Sequence, residues 1–599
     1  MAWKKPKFYY NTGIASLTAT PAPPANYLVS NLLDGFDGTL WKAPDATTQI
    51  IKHDKGARRK HPFDFLSIVG HNFAAAQPDI KLEYSHDDVT YQTALAIAAK
   101  ATFARASVAY HSDGAQAASG IPRYEADRTV KILGAIMIEE GTTNLLTANQ
   151  ASVETDTTGF TALLAAVLSK DTTYFRHGAA SLKAITPGSV INEGLQVDGP
   201  AGTINLPYAA SAWVRAPLGA TLELIVRRDA TANETIATFT GTGAWQYVLA
   251  VVTLDAAATS VKTIIRTRST AQAITFYADM MQLEQKAYAT SWHHPTDGAR
   301  ANEPLSFPTA GVLNPAEGTI AVWVNVNAAS KRQIAGTAPR IFYCTGLAMF
   351  HNDTTAQWGI GIAETQYAYV SDSYTPDGWH QFVFVWSQSG NYIKLFIDGV
   401  LRATGLYAVP TLDANAYIGS RLGSQDWLNT MLDDVQTWNR ALTDAEAAAI
   451  YARTAAKPHP GSAAFFTFDS TLVNGVLLNP LMLVELPAQL SSRYQKLTLS
   501  NSIVAPYAAI TYWGEGTELD YCDASFDPHA VEEKANVNVT ETGYLSGVHT
   551  KFIERDFDLA FEDAEDALYQ KLRTWNETVG LTNFVAAWEG AHHGEDCFL

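Results

Sequence analysis

The chain has 599 residues, of which 47% are hydrophobic and 17% charged, and its formal net charge is -18. That length implies several domains, and the low charged share leaves surfaces that are largely neutral and polar. An acidic body without a basic stripe excludes a protein that tracks along phosphate backbones, so no nucleic-acid partner is expected.

The cationic run KHDKGARRKH at 52–61 reads as a solvated turn. Cys344, Cys522 and Cys597 are far apart and odd in number, which fits neither a disulfide framework nor a zinc site. MAWKKPKFYYN has no apolar run behind its charges, so no signal peptide and a cytoplasmic synthesis are expected. The longest apolar run, ALLAAVL at 162–168, is too short to span a bilayer, and no membrane insertion is expected.

In chain order, residues 26–94 read as strands closed by EYSHDDVTYQTA, a strand, a polar turn and a second strand. The text then turns to small residues, and the sheet is left unfinished. SDGAQAASGIPRYEAD (112–127) reads as a linker. LELIVRRD (222–229) and VKTIIRTRS (261–269) are strands, and Trp213 and Trp245 lie inside strands, which assigns them to a core. HHPTDGARANEP (293–304) reads as a second, solvated linker that contains the pair His293 and His294. GTIAVWVNV (318–326), WHQFVFVWS (379–387) and YIKLFIDGV (392–400) follow, with Trp323, Trp379 and Trp386 expected between two sheets. Asp398-Gly399 suits a two-residue hairpin turn. In LTDAEAAAIYART, Thr443 and Glu446 form a capping box.

A third linker, ARTAAKPHPGSAA, ends this block, and AAFFTFDSTL, SSRYQKLTLSN (491–501) and YAAITYWGEGTELD (507–520) read as the strands missing from the first block. Near the end, Phe561, Leu568, Leu572, Trp575 and Val579 fall on one face of a helix. The fold class is mainly β: several jelly-roll or β-sandwich domains in series, with a small α+β C-terminal domain.

Several stretches resemble known families. GTIAVWVNV, DGWHQFVFVWSQSGNYIKLFIDGVL, AYIGSRLG and MLDDVQTWNRALTDAEAAAIY resemble the laminin-G-like, concanavalin-type jelly roll. TTNLL, YFRHGAASLKA, YAASAWVRAP, GTGAWQYVLAVVTLD and AITFYADMMQLEQKAYATSW resemble a carbohydrate-binding-module jelly roll. NLLDGFDGTLWKAP with FDFLSIVGHNFAAAQPDIKLEYSHDDVTYQTA resembles the front of a discoidin-like sandwich. Residues 105–146, with an Arg-Ala-Ser opening, an Ile-Pro-Arg-Tyr segment and a Glu-Gly-Thr-Thr-Asn-Leu-Leu close, are similar to a connector of tailed-bacteriophage virion proteins. The end of the chain resembles small domains of phage tail proteins. The expected division is 1–100 and 461–522 for two parts of the discoidin-like sandwich, 101–140 for the connector, 141–300 and 301–460 for the two jelly rolls, and 523–599 for the tail-like domain.

The resemblances imply a tail, baseplate or fibre protein of a phage particle, with other virion proteins and a host-surface glycan as partners and a homo-oligomeric state. A capsid decoration and a polysaccharide depolymerase or lysin are the alternatives. Sugars stack on exposed rings, and the ring candidates on loops are Trp358, Tyr367, Tyr369, Tyr374 and Trp427 in the later jelly roll, with Tyr174 and Phe175 in the earlier one. No P-loop, GxSxG, HExxH or GxGxxG occurs, so no catalytic residue, cofactor or metal is expected. His592, His593 and Cys597 read as terminal text, Glu139 and Glu140 as structural, and Asp433 and Asp434 as turn caps.

Overall fold

The computed structural model describes residues 7–11, 16–33, 39–56, 61–97, 101–125, 135–229, 233–310, 312–332, 336–352, 354–452, 464–466, 481–518, 532–539, 545–554, 566–579, 585–587 and 597–598. The architecture is antiparallel sheets throughout. Among the described residues, no helix is long and apolar enough to cross a membrane.

Strands from the two ends of the chain interleave. One sheet runs Ser16–Thr20, Gln49–Asp54, Tyr494–Ser500, Asp79–Ser85, Gln92–Ile97. Tyr494–Ser500 is central, with Leu497 opposite both Ile51 and Leu82. Burial alternates along Gln49–Asp54 and Tyr494–Ser500, as expected of strands with one face on a core. The facing sheet runs Leu481–Ser492, His61–Val69, Ile510–Glu518, Lys7–Asn11, Val585–Ala587, Cys597–Phe598. Phe63, Ile68, Leu82, Met482, Leu497 and Trp513 share the core. Arg493 donates two hydrogen bonds to Asp54, at 3.0 and 3.1 Å. The strands that EYSHDDVTYQTA leaves wanting are therefore supplied by 481–518, while the last strands of the chain reach back to Lys7–Asn11. Of the C-terminal apolar stripe, Leu568 is buried in the helix Asp566–Val579. Phe561, His592 and His593 lie outside the described residues.

The first jelly roll packs two five-stranded sheets over Leu182, Leu195, Ala212, Val214, Leu224 and Phe276. Trp213 and Trp245 are not in this core. Successive side chains of a strand point to opposite faces, and Ala210, Ala212 and Val214, like Val248, Ala250 and Val252, take the inner one. Both tryptophans fall on the outer face and are half-buried there.

The second jelly roll is a sandwich with sheets of eight and seven strands. Trp386 fills the space between them, its indole N–H donating to the Asn314 carbonyl at 2.9 Å. Trp323 and Trp379 have the opposite parity. Trp323 stacks on Tyr451 of the helix Asp444–Ala452, centroids 5.6 Å apart. That helix begins with the reciprocal bonds of a capping box: Thr443 N donates to Glu446 and Glu446 N to Thr443. Asp398 and Gly399 both have positive φ (51° and 74°), as a tight hairpin turn between twisted strands requires. Asp433 and Asp434 cap no turn; they lie within Thr430–Trp438, at a bulge opposite Glu317–Val326 where Asp434 takes φ 45°.

The connector and the linker at 293–304 are the largest departures from the sequence reading. Thr102–Phe103 pairs with Leu305–Pro308, and Tyr124–Glu125 pairs with Ala135–Ile138, which pairs with Thr430–Trp438. Both sheets of the second jelly roll are thus widened by connector strands. Beside them lies a buried charge network. Arg105 donates to Glu303 at 2.7 Å; Arg123 donates to Glu303 at 2.6 Å and to Glu139 at 2.8 Å; Arg300 donates to Glu139 at 2.5 Å. These side chains are at most 5% exposed. Nor is His293 solvated: it is buried, its backbone N–H donating to Gln282 and its carbonyl accepting from Asn144. Asn144 also accepts from the backbone of Leu146 and Leu283, so both ends of its amide are satisfied. Gly141 is needed here, since a Cβ would sit 2.5 Å from the Arg300 carbonyl.

Two outcomes test this architecture. A fragment of residues 1–97 lacks the central strand of its sheet, so it should show no cooperative thermal unfolding by circular dichroism; a cooperative transition would contradict the interleaving. Burial alone would raise the Glu139 carboxyl, but Arg300 and Arg123 outweigh it and hold the group well below its unfolded value of 4.5. A depressed carboxylate stabilises fully above its unfolded pKa and loses that share as pH falls below it. The urea midpoint should therefore drop below about pH 4.5. Glu139→Gln should cost about 3–5 kcal/mol at pH 7 and flatten the acid dependence. An unchanged midpoint would show that the network is not coupled to folding.

Candidate functional site

The strand Gln366–Ser371 is the edge of the seven-stranded sheet. Its alternation sends Ala368 and Val370 into the core and leaves Tyr367 and Tyr369 outside, 44% and 39% exposed. Their rings are nearly parallel, with centroids 6.0 Å apart and planes at 21°. Phe350 stands perpendicular to both at about 6 Å, in an edge-to-face arrangement that aromatic quadrupoles favour. Gly361 and Gly359 lie opposite the two tyrosines in register. A Cβ on either would come within 2.7–2.9 Å of a tyrosine ring edge, so the bare glycines make room for the pair. The Arg340 guanidinium lies 4.6 Å from the Phe350 ring, and the Tyr367 hydroxyl donates to the Glu364 carbonyl at 3.1 Å. The outcome is a rigid pair of exposed rings with arginine behind it.

Tyr374 is separate. It ends the short helix Asp372–Tyr374, is 47% exposed, and lies under the Arg402 guanidinium at 4.2 Å. Trp358 and Trp427 are corrected. Both are core residues, 1% and 2% exposed, with no ring face open to a sugar. Trp358 alternates inward with Ile360 and Ile362, and its N–H donates to Thr375 at 2.8 Å, which anchors the turn that carries Tyr374.

The first jelly roll carries a second aromatic array. Tyr174 is 36% exposed and packs on Tyr277 at 4.9 Å, with Arg215 over its ring at 4.1 Å. On the same sheet, Arg176 lies 3.5 Å from the Trp213 ring centroid, and Trp213 packs on Tyr247 at 5.5 Å. Such cation–π contacts fix both partners in place. The loop holding Tyr174 and exposed Phe175 is pinned at two points. Asp171 accepts from the Thr173 and Tyr174 amides, and buried Asp279 accepts from the Arg176 and His177 amides. Burial pushes the Asp279 carboxyl up to about 6 despite those amides. The seven expected ring residues are thus not one site. Tyr367 and Tyr369 come together, Tyr374 stands apart, Tyr174 and Phe175 share a loop of the other jelly roll, and Trp358 and Trp427 are structural. Trp213, Tyr247 and Tyr277 were not foreseen as surface rings, nor buried Phe350 as the support of the tyrosine pair; strand parity was the signal that marks them.

Residues 297–448 match the family model of the concanavalin A-like lectin/glucanases superfamily, so this part of the chain is similar to that family. No curated protein matches the chain. Three solved structures illustrate the similarity. An arabinose-bound α-L-arabinofuranosidase is 15% identical over 24% of this chain and 26% of its own, with a TM-score of 0.22. A family 16 carbohydrate-binding module is 20% identical over 23% of this chain and 99% of its own, with a TM-score of 0.20. The tandem CBM22-1–CBM22-2 domain from Paenibacillus barcinonensis is 14% identical over 50% of this chain and 99% of its own, with a TM-score of 0.21. The chain therefore spans about a quarter of the arabinofuranosidase.

The two kinds of ring should respond differently to truncation. Trp358→Ala should cost about 3–5 kcal/mol in denaturant unfolding, and Tyr367→Ala about 0.5 kcal/mol or less. Equal costs would contradict the division between core and surface rings.

Proposed function

We propose that the chain is a non-enzymatic attachment component of a tailed-phage particle, in its tail, baseplate or fibre. In this reading its two jelly rolls bind glycan on the host surface. The observation that carries the glycan part is the exposed tyrosine pair Tyr367 and Tyr369, pre-positioned on a sheet edge, with a second ring array around Tyr174 on the neighbouring jelly roll. Rigid rings held by arginine lose little freedom on meeting the C–H face of a sugar. Each contact is weak, and repeated copies in a homo-oligomeric particle raise avidity by effective concentration. The virion assignment rests on the connector text at 105–146 and on the ends of the chain, which we assign to the mount. Insertion of the jelly rolls into one loop of that mount is tolerated, since loop-closure cost grows slowly with length.

The test is binding of the full-length protein to intact bacterial cells, with extracted surface polysaccharide as competitor. Saturable binding abolished by free polysaccharide is expected, and Tyr367→Ala combined with Tyr369→Ala should weaken it at least tenfold, about 1.4 kcal/mol. Binding that free polysaccharide does not touch would overturn the glycan reading.

A further inference from the structure

The seam between the jelly rolls holds two cavities, and Ala287 and Tyr288 line both. One, of about 400 Å³, is walled by Trp213, Tyr247, Leu249 and Trp292, with the amides Asn327 and Asn429 at its far side. The other, of about 480 Å³, is polar, lined by Glu140, Lys286, Asn302, Arg332 and Gln425. Each falls in the ~300–1,000 Å³ range of small-ligand sites. Tyr288 divides them, held between Arg332 at 4.7 Å and Lys286 at 5.7 Å from its ring centroid. Arg332 is only 8% exposed, and one of its N–H groups donates to the Ala329 carbonyl at 2.9 Å. The charged side chains that line the polar cavity balance, Lys286 and Arg332 against Glu140 and Asp426, and Lys286 pairs with Glu140 at 3.0 Å.

We propose that these two cavities form one composite site for a neutral oligosaccharide, built by both jelly rolls together and absent from either alone. One sugar unit lays its C–H face on Trp213 and Tyr247. Tyr288 is the wall between successive units, and the hydroxyls of the next unit meet Asn302, Gln425 and Arg332. Rings beside amides and charge-neutral pairs suit a ligand that alternates apolar faces with many hydroxyls. A purely apolar ligand would leave the polar half unpaired, and a strongly anionic one would meet Glu140 and Asp426. The site rests on the glycan-binding reading and deepens it, because recognition then depends on how the modules are joined.

The test is calorimetric titration of the full-length protein with cellohexaose, xylohexaose and tetragalacturonate. At least one neutral hexasaccharide should bind. Tyr288→Ala should weaken it tenfold or more, and Ala287→Trp, which fills the seam, should do the same. Val89→Ala, on the exposed turn of the first sandwich, should leave it within twofold. Thermal melts of each variant separate loss of the site from loss of the fold. Neutral binding unchanged by both seam variants would overturn the composite site and leave the attachment function standing. No binding of either neutral probe, or binding of tetragalacturonate alone, would overturn it as well. Loss of polysaccharide-competed cell binding by the unaltered protein would instead remove the glycan reading itself.

Discussion

Three guanidinium groups and two carboxylates, Arg105, Arg123, Arg300, Glu139 and Glu303, are buried together where the connector, the first jelly roll and the second jelly roll meet. Removing each charge from water costs several kcal/mol, which only a complete set of partners offsets. The network is therefore an all-or-none junction. Arg105, Arg123 and Glu139 belong to the connector, and Arg300 and Glu303 to the 293–304 segment between the two jelly rolls. No one of these segments satisfies its charges alone. Three of the five residues fall in the text that looked like a connector, so what reads as an architectural marker has a physical content: it supplies ions that pair with Arg300 and Glu303 of the next segment.

The same junction sets the surfaces. Glu284 accepts from Thr142 and from the Thr290 hydroxyl, and Asn144 holds Met281 and His293, so the segment that returns from the first jelly roll is tied down along its length. That segment carries Tyr288 and Trp292 over the outer face of the sheet on which Trp213 and Tyr247 stand. The ring arrays are thus presented by a fixed frame, and the groups that would meet a ligand owe their positions to strand parity and to the buried charges.

Much of the fold was legible. Short β-branched runs between turn residues marked the sandwiches, and the Thr443–Glu446 capping box and the Asp398-Gly399 turn depend on local chemistry that the sequence displays. The strands missing after EYSHDDVTYQTA were legible as well, because an unfinished sheet demands edges and SSRYQKLTLSN has the alternation to provide them. Which face of a strand is inner was harder. In YAASAWVR and GTIAVWVNV both faces carry apolar residues, so period two alone does not say whether Trp213 or Trp323 faces the core. Trp358 was misplaced on a loop, although QWGIGI alternates, with its glycines outward and Trp358, Ile360 and Ile362 inward. The polar text at 293–304 looked like a linker because burial of Arg300 and Glu303 depends on partners far away in sequence.

The most direct test of this account is amide hydrogen exchange across residues 101–125 and 135–144 of the full-length protein. If the connector is an integral part of the second jelly roll, its strand amides should be protected to the same degree as those of Leu305–Pro308 and Thr430–Trp438, to which they are hydrogen-bonded. Exchange at open-chain rates while those strands stay protected would contradict it, and the two jelly rolls would then be beads on a flexible thread.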